Sequence, residues 1–319
     1  MMRTDPVYAV LGRSGLPVSP LCFGTIPLGR PRGMVPTAAV SLLRQALEMG
    51  INFLDTAELY ENYDVIRSAL SGIDKPIMVA TKSYAPDAGA MRISLEKARR
   101  ELDRDRIDIF LLHEMESPAT LRGHRAALEE LLEARARGIV GAVGCSTHTV
   151  AGLRAASTMP EFDVVHPLIN HAGWGIRDGT AADMAEAIET AASLGLGVYA
   201  MKVLAGGHLG SQAAGAIAYV RELPGVVSMA IGIQSGEELL ADWAYCRGES
   251  PAPAVLAAVS AQPRRLFVEP WCDGCGVCLT ACPFGALRLE DGRVSVRPDA
   301  CLLCGYCARG CKKICLKVV

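Results

Sequence analysis

"FGTIPLGR", residues 23–30, decides between two folds for the longer, N-terminal part of this chain. It follows the apolar run "PLCFGT" (20–25) and precedes the helical pattern "TAAVSLLRQALEMG" (37–50), so it forms a strand-to-helix turn. In a doubly wound sheet that turn carries G-x-G-x-x-G, because glycines let the backbone approach a pyrophosphate closely. The stretch lacks that spacing. The other arrangement of alternating strands and helices is a closed (β/α)8 barrel, and the count of strands fits it.

Seven more apolar runs follow: "NFLDT" (52–56), "IMVATK" (77–82), "IDIFLLH" (107–113), "IVGAVGCS" (139–146), "DVVHPLIN" (163–170), "GVYAMKV" (197–203) and "VVSMAIGI" (226–233). Each has the length and near-continuous apolarity of a strand buried on both faces. Helical patterns separate them. "SLEKARRELD" (94–103) places Glu96 four residues before Arg100, a pairing that supports a helix. "PATLRGHRAALEELLEARARG" (118–138) reads as one helix ending in arginines and Gly138. The barrel is assigned to residues 1–247. The proline-rich segment "GESPAPAVLAAVSAQPRRLFVEP" (248–270) begins a linker with a helix in it, 248–267. A small cysteine-rich unit, of ferredoxin-like α+β type, takes residues 268–319.

The chain has 319 residues, of which half are hydrophobic, and a net charge of −2. That supports a large core and argues against nucleic-acid binding driven by phosphate neutralisation. No apolar run is long enough to span a bilayer, and the first twenty residues lack the apolar centre of a signal peptide, so a cytoplasmic, membrane-free protein is expected. There the twelve cysteines would stay reduced, which favours metal ligation over disulfides.

Cys272, Cys275, Cys278 and Cys282, followed by Pro283, fit the C-x2-C-x2-C-x3-C-P run of bacterial ferredoxins, and Cys301, Cys304, Cys307 and Cys311 repeat it 29 residues later. Three closely spaced thiolates hold three irons of a cubane, and the fourth ligand comes from the other repeat. Two [4Fe-4S] clusters are expected, one on Cys272, Cys275, Cys278 and Cys311, the other on Cys301, Cys304, Cys307 and Cys282. Zinc is the competing metal, but its sites use four ligands as two separated C-x2-C pairs, and these runs supply too many. Between the repeats "LRLEDGRVSV" reads as a hairpin turning at Asp291-Gly292. Cys315 has no counterpart in the first repeat, where Ala286 stands, and is a spare thiol or alternative ligand. Cys22, Cys145 and Cys246 are read as small hydrophobes.

In a barrel, function sits at the C-terminal ends of the strands. There stand Asp55 and Tyr60 after strand 2, Lys82 ending strand 3 and His113 ending strand 4. A phenol is a poor acid at neutral pH, and a nearby ammonium lowers its pKa. Lys82 is expected to do this, Asp55 to orient Lys82, and His113 to hydrogen-bond a substrate oxygen. Together they suit protonation of a carbonyl oxygen while hydride reaches the carbon.

"NFLDTAELY", "VATK", "FLLHE", "GCSTHT", "AMKVLAGG" and "IGIQSGEEL" resemble, in order, segments of the aldo/keto reductase family over roughly residues 8–245. With its tail the chain resembles the bacterial subgroup that carries a C-terminal ferredoxin domain. The resemblance implies that Asp55, Tyr60, Lys82 and His113 form a catalytic tetrad with Tyr60 as proton donor. It also implies NADPH or NADH bound without a Rossmann domain, and a small carbonyl or alcohol substrate. By alignment the nucleotide contacts fall at Ser146, Thr147, His166, Asn170, Met201, Lys202, Gln234 and Ser235. Several depart from the family pattern: Thr147 replaces asparagine, His166 glutamine, and Met201 the aromatic that stacks on nicotinamide. The clusters imply a redox partner protein. A cubane carries one electron and a hydride two; a flavin would reconcile them, but no sequence feature identifies one. The alternatives are an electron-transfer protein whose barrel is a docking scaffold, and clusters with a purely structural role.

Overall fold

The computed structural model describes residues 8–29 and 34–319. Residues 1–7, where the N-terminal stretch read for a signal peptide begins, and Arg30, the end of the quoted turn, lie outside the described residues. The chain opens with a short antiparallel hairpin, β1 (Ala9–Val10) and β2 (Pro17–Val18). Among the described residues eight parallel strands then close a barrel: β3 (Leu21–Gly24), β4 (Phe53–Asp55), β5 (Met78–Ser83), β6 (Ile107–Leu112), β7 (Val140–Thr147), β8 (Val164–Pro167), β9 (Gly197–Met201) and β10 (Val226–Gly232). Strand β10 returns beside β3, with Met229 opposite Leu21 and Gly232 opposite Gly24.

Strand alternation divides the apolar residues into two cores. Cys22, Phe53, Ala80, Ile109, Leu111, Ala142, Val164 and Tyr199 fill the barrel. Their neighbours Phe23, Leu54, Val79, Phe110, Leu112, Val143, Val165 and Val198 face outward under the helices. The N-terminal hairpin plugs the barrel floor with Leu11 and Val18. The helical layer consists of α1 (Pro36–Glu48), α2 (Tyr63–Leu70), α3 (Ala88–Leu102), α4 (Pro118–Gly123), α5 (Arg125–Ala136), α6 (Val150–Ser157), α7 (Ala181–Ser193), α8 (Ala213–Arg221) and α9 (Gly236–Cys246). Starts are capped where the sequence offers a short polar side chain: Asp87 accepts from Ala90 N, and Thr180 with Asp183 makes a reciprocal capping box.

Two helical expectations need correction. The segment 118–138 is two helices, broken at His124, whose ring Nδ1 bonds the Thr120 carbonyl. Glu96 pairs with Arg99, one residue nearer than Arg100, at 2.8 Å; Arg100 lies against Glu101. Cys22, Cys145 and Cys246 are buried in the core, as small hydrophobes are.

Beyond α9 comes α10 (Pro253–Ala261), which begins at a proline, and then the cysteine-rich unit. Its elements are β11 (Leu266–Val268), α11 (Val277–Thr280), the hairpin β12 (Leu287–Glu290) and β13 (Arg293–Val296), α12 (Tyr306–Arg309) and β14 (Leu316–Val318). Asp291 and Gly292 both take positive φ, 48° and 73°, as the two-residue hairpin turn requires. Strand β11 straddles the expected 267/268 boundary and pairs antiparallel with β14, Leu266 opposite Val318. The unit sits over the C-terminal end of the barrel. Arg177 Nε donates to the Lys312 carbonyl at 3.0 Å, and His208 Nε2 donates to the Leu316 carbonyl at 3.1 Å. Among the described residues no helix is long and apolar enough to cross a membrane.

Candidate active site and cysteine cluster

Asp55, Lys82, His113 and His166 each stand two residues beyond an inward-facing core residue: Phe53, Ala80, Leu111 and Val164. Alternation therefore turns all four into the barrel mouth. Lys82 is fully buried. Its Nζ donates to Asp55 Oδ1 and Oδ2, both at 2.8 Å, and to the Thr56 carbonyl at 2.6 Å. These three acceptors match the three ammonium protons. Tyr60, half-buried on the loop after β4, lies with its ring centroid 5.2 Å from Lys82 Nζ and edge-on to His113 at 6.4 Å.

The expectation that Lys82 lowers the Tyr60 pKa does not hold in this arrangement. The phenol is pushed well above its ordinary value, first by desolvation and then by the negative charge of Asp55 and by Tyr84, Glu114 and Glu269. The ammonium is committed to Asp55, and the pair offers the phenol little net positive charge. Burial also pushes His113 well below the usual histidine range, with Lys82 adding to it. His113 is thus neutral, stacked on Tyr84 at 4.1 Å, and its buried Nδ1 has no hydrogen-bond partner among the described residues. An unpartnered ring nitrogen beside a phenol suits a carbonyl-bearing ligand.

A cavity of about 480 Å³ opens from this point. Asp55, Tyr60, His166, Met201, Lys202 and Gln234 line it; Lys82 and His113 do not. Of the other expected nucleotide contacts, Ser146, Thr147, Asn170 and Ser235 do not line it. Ser146 Oγ accepts from Glu114 N, and Thr147 Oγ1 accepts from Thr149 N. Asn170 pins the 170–174 loop through Trp174 N and O. Ser235 caps α9 and accepts from Gln262. His166 donates Nδ1–H to the Tyr199 carbonyl at 2.7 Å, and burial pulls its pKa down to about 3. The far end of the cavity holds the Arg264–Glu238 ion pair, 2.6 Å, and Asp242, whose carboxyl burial raises to about 8.

Cys272, Cys278, Cys282, Cys301, Cys307 and Cys311 collect in one small core with Leu266, Leu287, Val294 and Leu316, while Cys275 and Cys304 are exposed. Burial pushes the Cys278 thiol up to about 11, and the neighbouring charges acting on it are Cys311, Cys272 and Cys275. Burial pushes Cys307 to about 12, with Cys282, Cys278, Cys301 and Cys304 as its neighbours. Each run thus brings three cysteines together with the last cysteine of the other run. Gly276 and Gly305 start α11 and α12 at φ 77° and 80°, so the repeats share a backbone path. Backbone amides reach two sulfurs: Ala286 N to Cys282 at 3.4 Å and Cys315 N to Cys311 at 3.3 Å. Cys315 itself is buried.

Three residues at the site escape the sequence reading. Tyr199 donates its hydroxyl to Asp55 Oδ1 at 3.1 Å and stacks on His166 at 3.9 Å. Glu269 and Lys317, both buried, come from the cysteine-rich unit. The signal for Lys317 is a lone charge inside the apolar strand "LKVV".

A model of the aldo/keto reductase family matches residues 20–221, and a model of a 4Fe-4S dicluster domain matches residues 266–312. The 6-dehydroglucose reductase of Novosphingobium aromaticivorans is 29% identical over 49% of this chain and 59% of its own length. An uncharacterized oxidoreductase of Bacillus subtilis, YrpG, is 30% identical over 65% of this chain and 69% of its own. The L-galactose dehydrogenase of Arabidopsis thaliana is 27% identical over 63% and 66%. The first two relatives matched are covered over only 59% and 37% of their lengths. Among solved structures, one from Pseudomonas aeruginosa described as an aldo-keto reductase superposes with a TM-score of 0.67 at 25% identity, covering 77% of this chain and 98% of that one. An aldo-keto reductase from Bacillus halodurans, at 20% identity and a TM-score of 0.63 over 80% of this chain and 96% of its own, shares the fold.

Proposed function

From a chain that belongs to the aldo/keto reductase family and ends in a 4Fe-4S dicluster domain, we propose a reductase of small carbonyl compounds, reversible toward the alcohol, with Tyr60 as proton donor. The observation that carries the reading is the convergence of Asp55, Tyr60, Lys82 and His113 at one end of the barrel, with Asp55 and Tyr60 on the wall of the cavity. A nicotinamide cofactor fits this cavity by its size, by Lys202 on its wall and by the unpartnered His113 Nδ1 beside it. Bound there it supplies the hydride, while two clusters on the crossed cysteine sets supply single electrons.

The chain's own residues divide the rest of the work. His113, neutral, orients the substrate oxygen. Tyr60 delivers a proton to that oxygen as charge develops on it, and its raised pKa keeps the phenol protonated across the neutral range. Asp55 fixes Lys82, and Tyr199 fixes Asp55, so the ammonium is held near the phenol ring. We assign a redox partner protein to the clusters, and residues 1–247 and 268–319 to the two working units, joined by 248–267.

Tyr60→Phe tests the acid. Aldehyde reduction with NADPH or NADH should fall by about 10² to 10⁴-fold, since that is the span of general-acid catalysis, while the melting temperature stays put. The wild-type rate should remain level up to about pH 10, the ordinary tyrosine value. A variant with full activity would remove Tyr60 from the role. A wild-type rate that falls near neutral pH would restore a lowered phenol pKa.

A further inference from the structure

Tyr84 follows the last residue of β5, and His113 follows the last residue of β6. The register pairs Ser83 with Leu112, so the two rings leave neighbouring strands side by side, and His113 N–H donates to the Ser83 carbonyl at 3.0 Å. The rings stack at 4.1 Å with 22° between their planes. Among the described residues the buried Nδ1 of His113 makes no hydrogen bond that would fix the ring, so this packing is a large part of what orients it. The Tyr84 hydroxyl is held in turn: it donates to the carboxylate of Glu114, the residue after His113. Glu114 takes a left-handed φ of 57°, costly for a residue with a side chain, and Ser146 Oγ supports that backbone by accepting from its N–H at 2.9 Å.

The next link reaches the other unit. Arg177 stands on the loop between β8 and α7, with its backbone N–H donating to the His148 carbonyl at 3.1 Å. Its Nε donates to the Lys312 carbonyl of the cysteine-rich unit at 3.0 Å, while its two terminal nitrogens lie 3.7 Å from Glu114 Oε2 and from Glu116 Oε2. A guanidinium can span such a set because its donors spread in a planar fork. Glu114 and Glu116 stand close together beside His148, with side-chain oxygen and nitrogen atoms of the three within 4.8 Å of one another. Carboxylates this close repel, and Arg177 supplies a permanent positive charge to both. Two residues earlier Gly175, at φ 92°, leaves room for Ile314 of the same unit: a Cβ there would stand 2.9 Å from Ile314 Cδ1.

We propose that the seated iron-sulfur unit positions His113 through Arg177, Glu114 and the Tyr84 ring, so that the reductase site takes its working geometry only with that unit in place. The proposal rests on the reductase role of His113. Tyr84 and Arg177 act in it as positioning residues, and neither touches the reacting atoms. Without the Arg177 bridge the Glu114 carboxylate moves off Glu116, the Tyr84 hydroxyl loses its acceptor, and the ring that backs His113 is no longer held.

The test uses full-length protein purified anaerobically as wild type, Arg177→Gln, Arg177→Lys, Tyr84→Phe and the double variant Arg177→Gln/Tyr84→Phe, each with its iron and sulfide measured. Reduction of an uncharged ketone with NADPH and with NADH forms one arm. Crystal structures of wild type and Arg177→Gln form the other. Each single variant should lower kcat by about two- to thirtyfold, the span of couplings carried through such chains. KM, nucleotide affinity by fluorescence titration and iron content should stay as in wild type, the pattern of a contact that acts only in the transition state. The double variant should be no slower than the slower single one, because both break the same chain. Arg177→Lys should behave as Arg177→Gln, since an ammonium on a flexible stem cannot bridge both carboxylates and the carbonyl at once. In the crystal of Arg177→Gln the Tyr84 ring should no longer lie parallel to His113. Unchanged kcat in Arg177→Gln, multiplying losses in the double variant, or full rescue by Arg177→Lys would each overturn the relay. A loss of iron that accompanies the fall in kcat would overturn it in favour of a purely structural seat. Wild type that reduces the ketone with neither nucleotide would overturn the reductase reading instead, and an unmoved Tyr84 ring in the Arg177→Gln crystal would overturn the relay whatever the activity.

Discussion

His166 shows how a single residue couples the site to stability. It is sealed inside the barrel, stacked on Tyr199, and gives its one ring proton to the Tyr199 carbonyl. Its pKa falls from about 6.5 to about 3 because burial penalises the imidazolium more than Asp55 favours it. The unfolded chain therefore binds the extra proton between those values and the folded chain does not. The stability this histidine contributes is complete above pH 6.5 and is lost as pH falls toward 3. From pH 7 to pH 5 the loss is about 2 kcal/mol, from 1.36 kcal/mol per pKa unit. His113 acts in the same direction. Other groups titrate in the same window, with Asp242 acting in the opposite sense to His113 and His208, so the prediction is a difference: between pH 7 and pH 5 the urea-unfolding stability of wild type should change unfavourably by about 2 kcal/mol relative to that of His166→Gln. Equal drops in both proteins would mean that the ring is protonated in the fold.

The loop after β9 is the element on which the two units meet. Gly206 and Gly207 both take left-handed φ, and the second faces the backbone of Val318. A methyl group at Gly207 would strike that carbonyl and strain its own backbone, so no side-chain rotation relieves it. Gly207→Ala should leave the barrel folded and lift β14 from its seat. Limited proteolysis should then cut within 248–270 markedly faster than in wild type, while the melting of the barrel changes little. Unaltered cleavage would mean that the other contacts of the unit, Arg177 to Lys312 and His208 to Leu316, suffice to hold it. The strand and hairpin elements were legible in the sequence because their patterns are local: apolar runs for the barrel, Asp291-Gly292 for the turn. The break at His124 was not legible, since the helical pattern runs unbroken across it. Nor was the choice of Arg99 over Arg100 by Glu96, because residues three and four apart are both neighbours on a helix.

At the scale of the whole molecule, the proposed crossing of ligands between repeats would make the two cysteine runs one unit. Cys311 is among the charges acting on Cys278, and Cys282 among those acting on Cys307. Cys282→Ser should therefore disturb the cluster of the second repeat. Anaerobic preparations should hold about eight irons per chain in wild type and about four in the variant. The surviving cluster should be the one held by Cys272, Cys275, Cys278 and Cys311. Loss of the first repeat's own cluster instead would mean that each run is self-contained. The assembled unit sits over the barrel mouth, so the proposed two-electron site and one-electron carriers would adjoin in one chain.

The sequence by itself determined the barrel, the dicluster unit and the strand ends where the polar residues stand, because those features follow from apolar runs, cysteine spacing and a two-residue alternation. It named Asp55, Tyr60, Lys82 and His113 one strand at a time. Only the tertiary structure decided that Lys82 gives all its protons to Asp55 and Thr56, that burial raises the Tyr60 pKa, and that Ser146, Thr147 and Ser235 use their hydroxyls within the scaffold. It also decided that Lys317, more than 250 residues after Asp55, shares a cavity with it. The physical reason is the same throughout. Desolvation and the competition for donors depend on every element that closes around a group, and the last of those elements here is the C-terminal strand of the other unit.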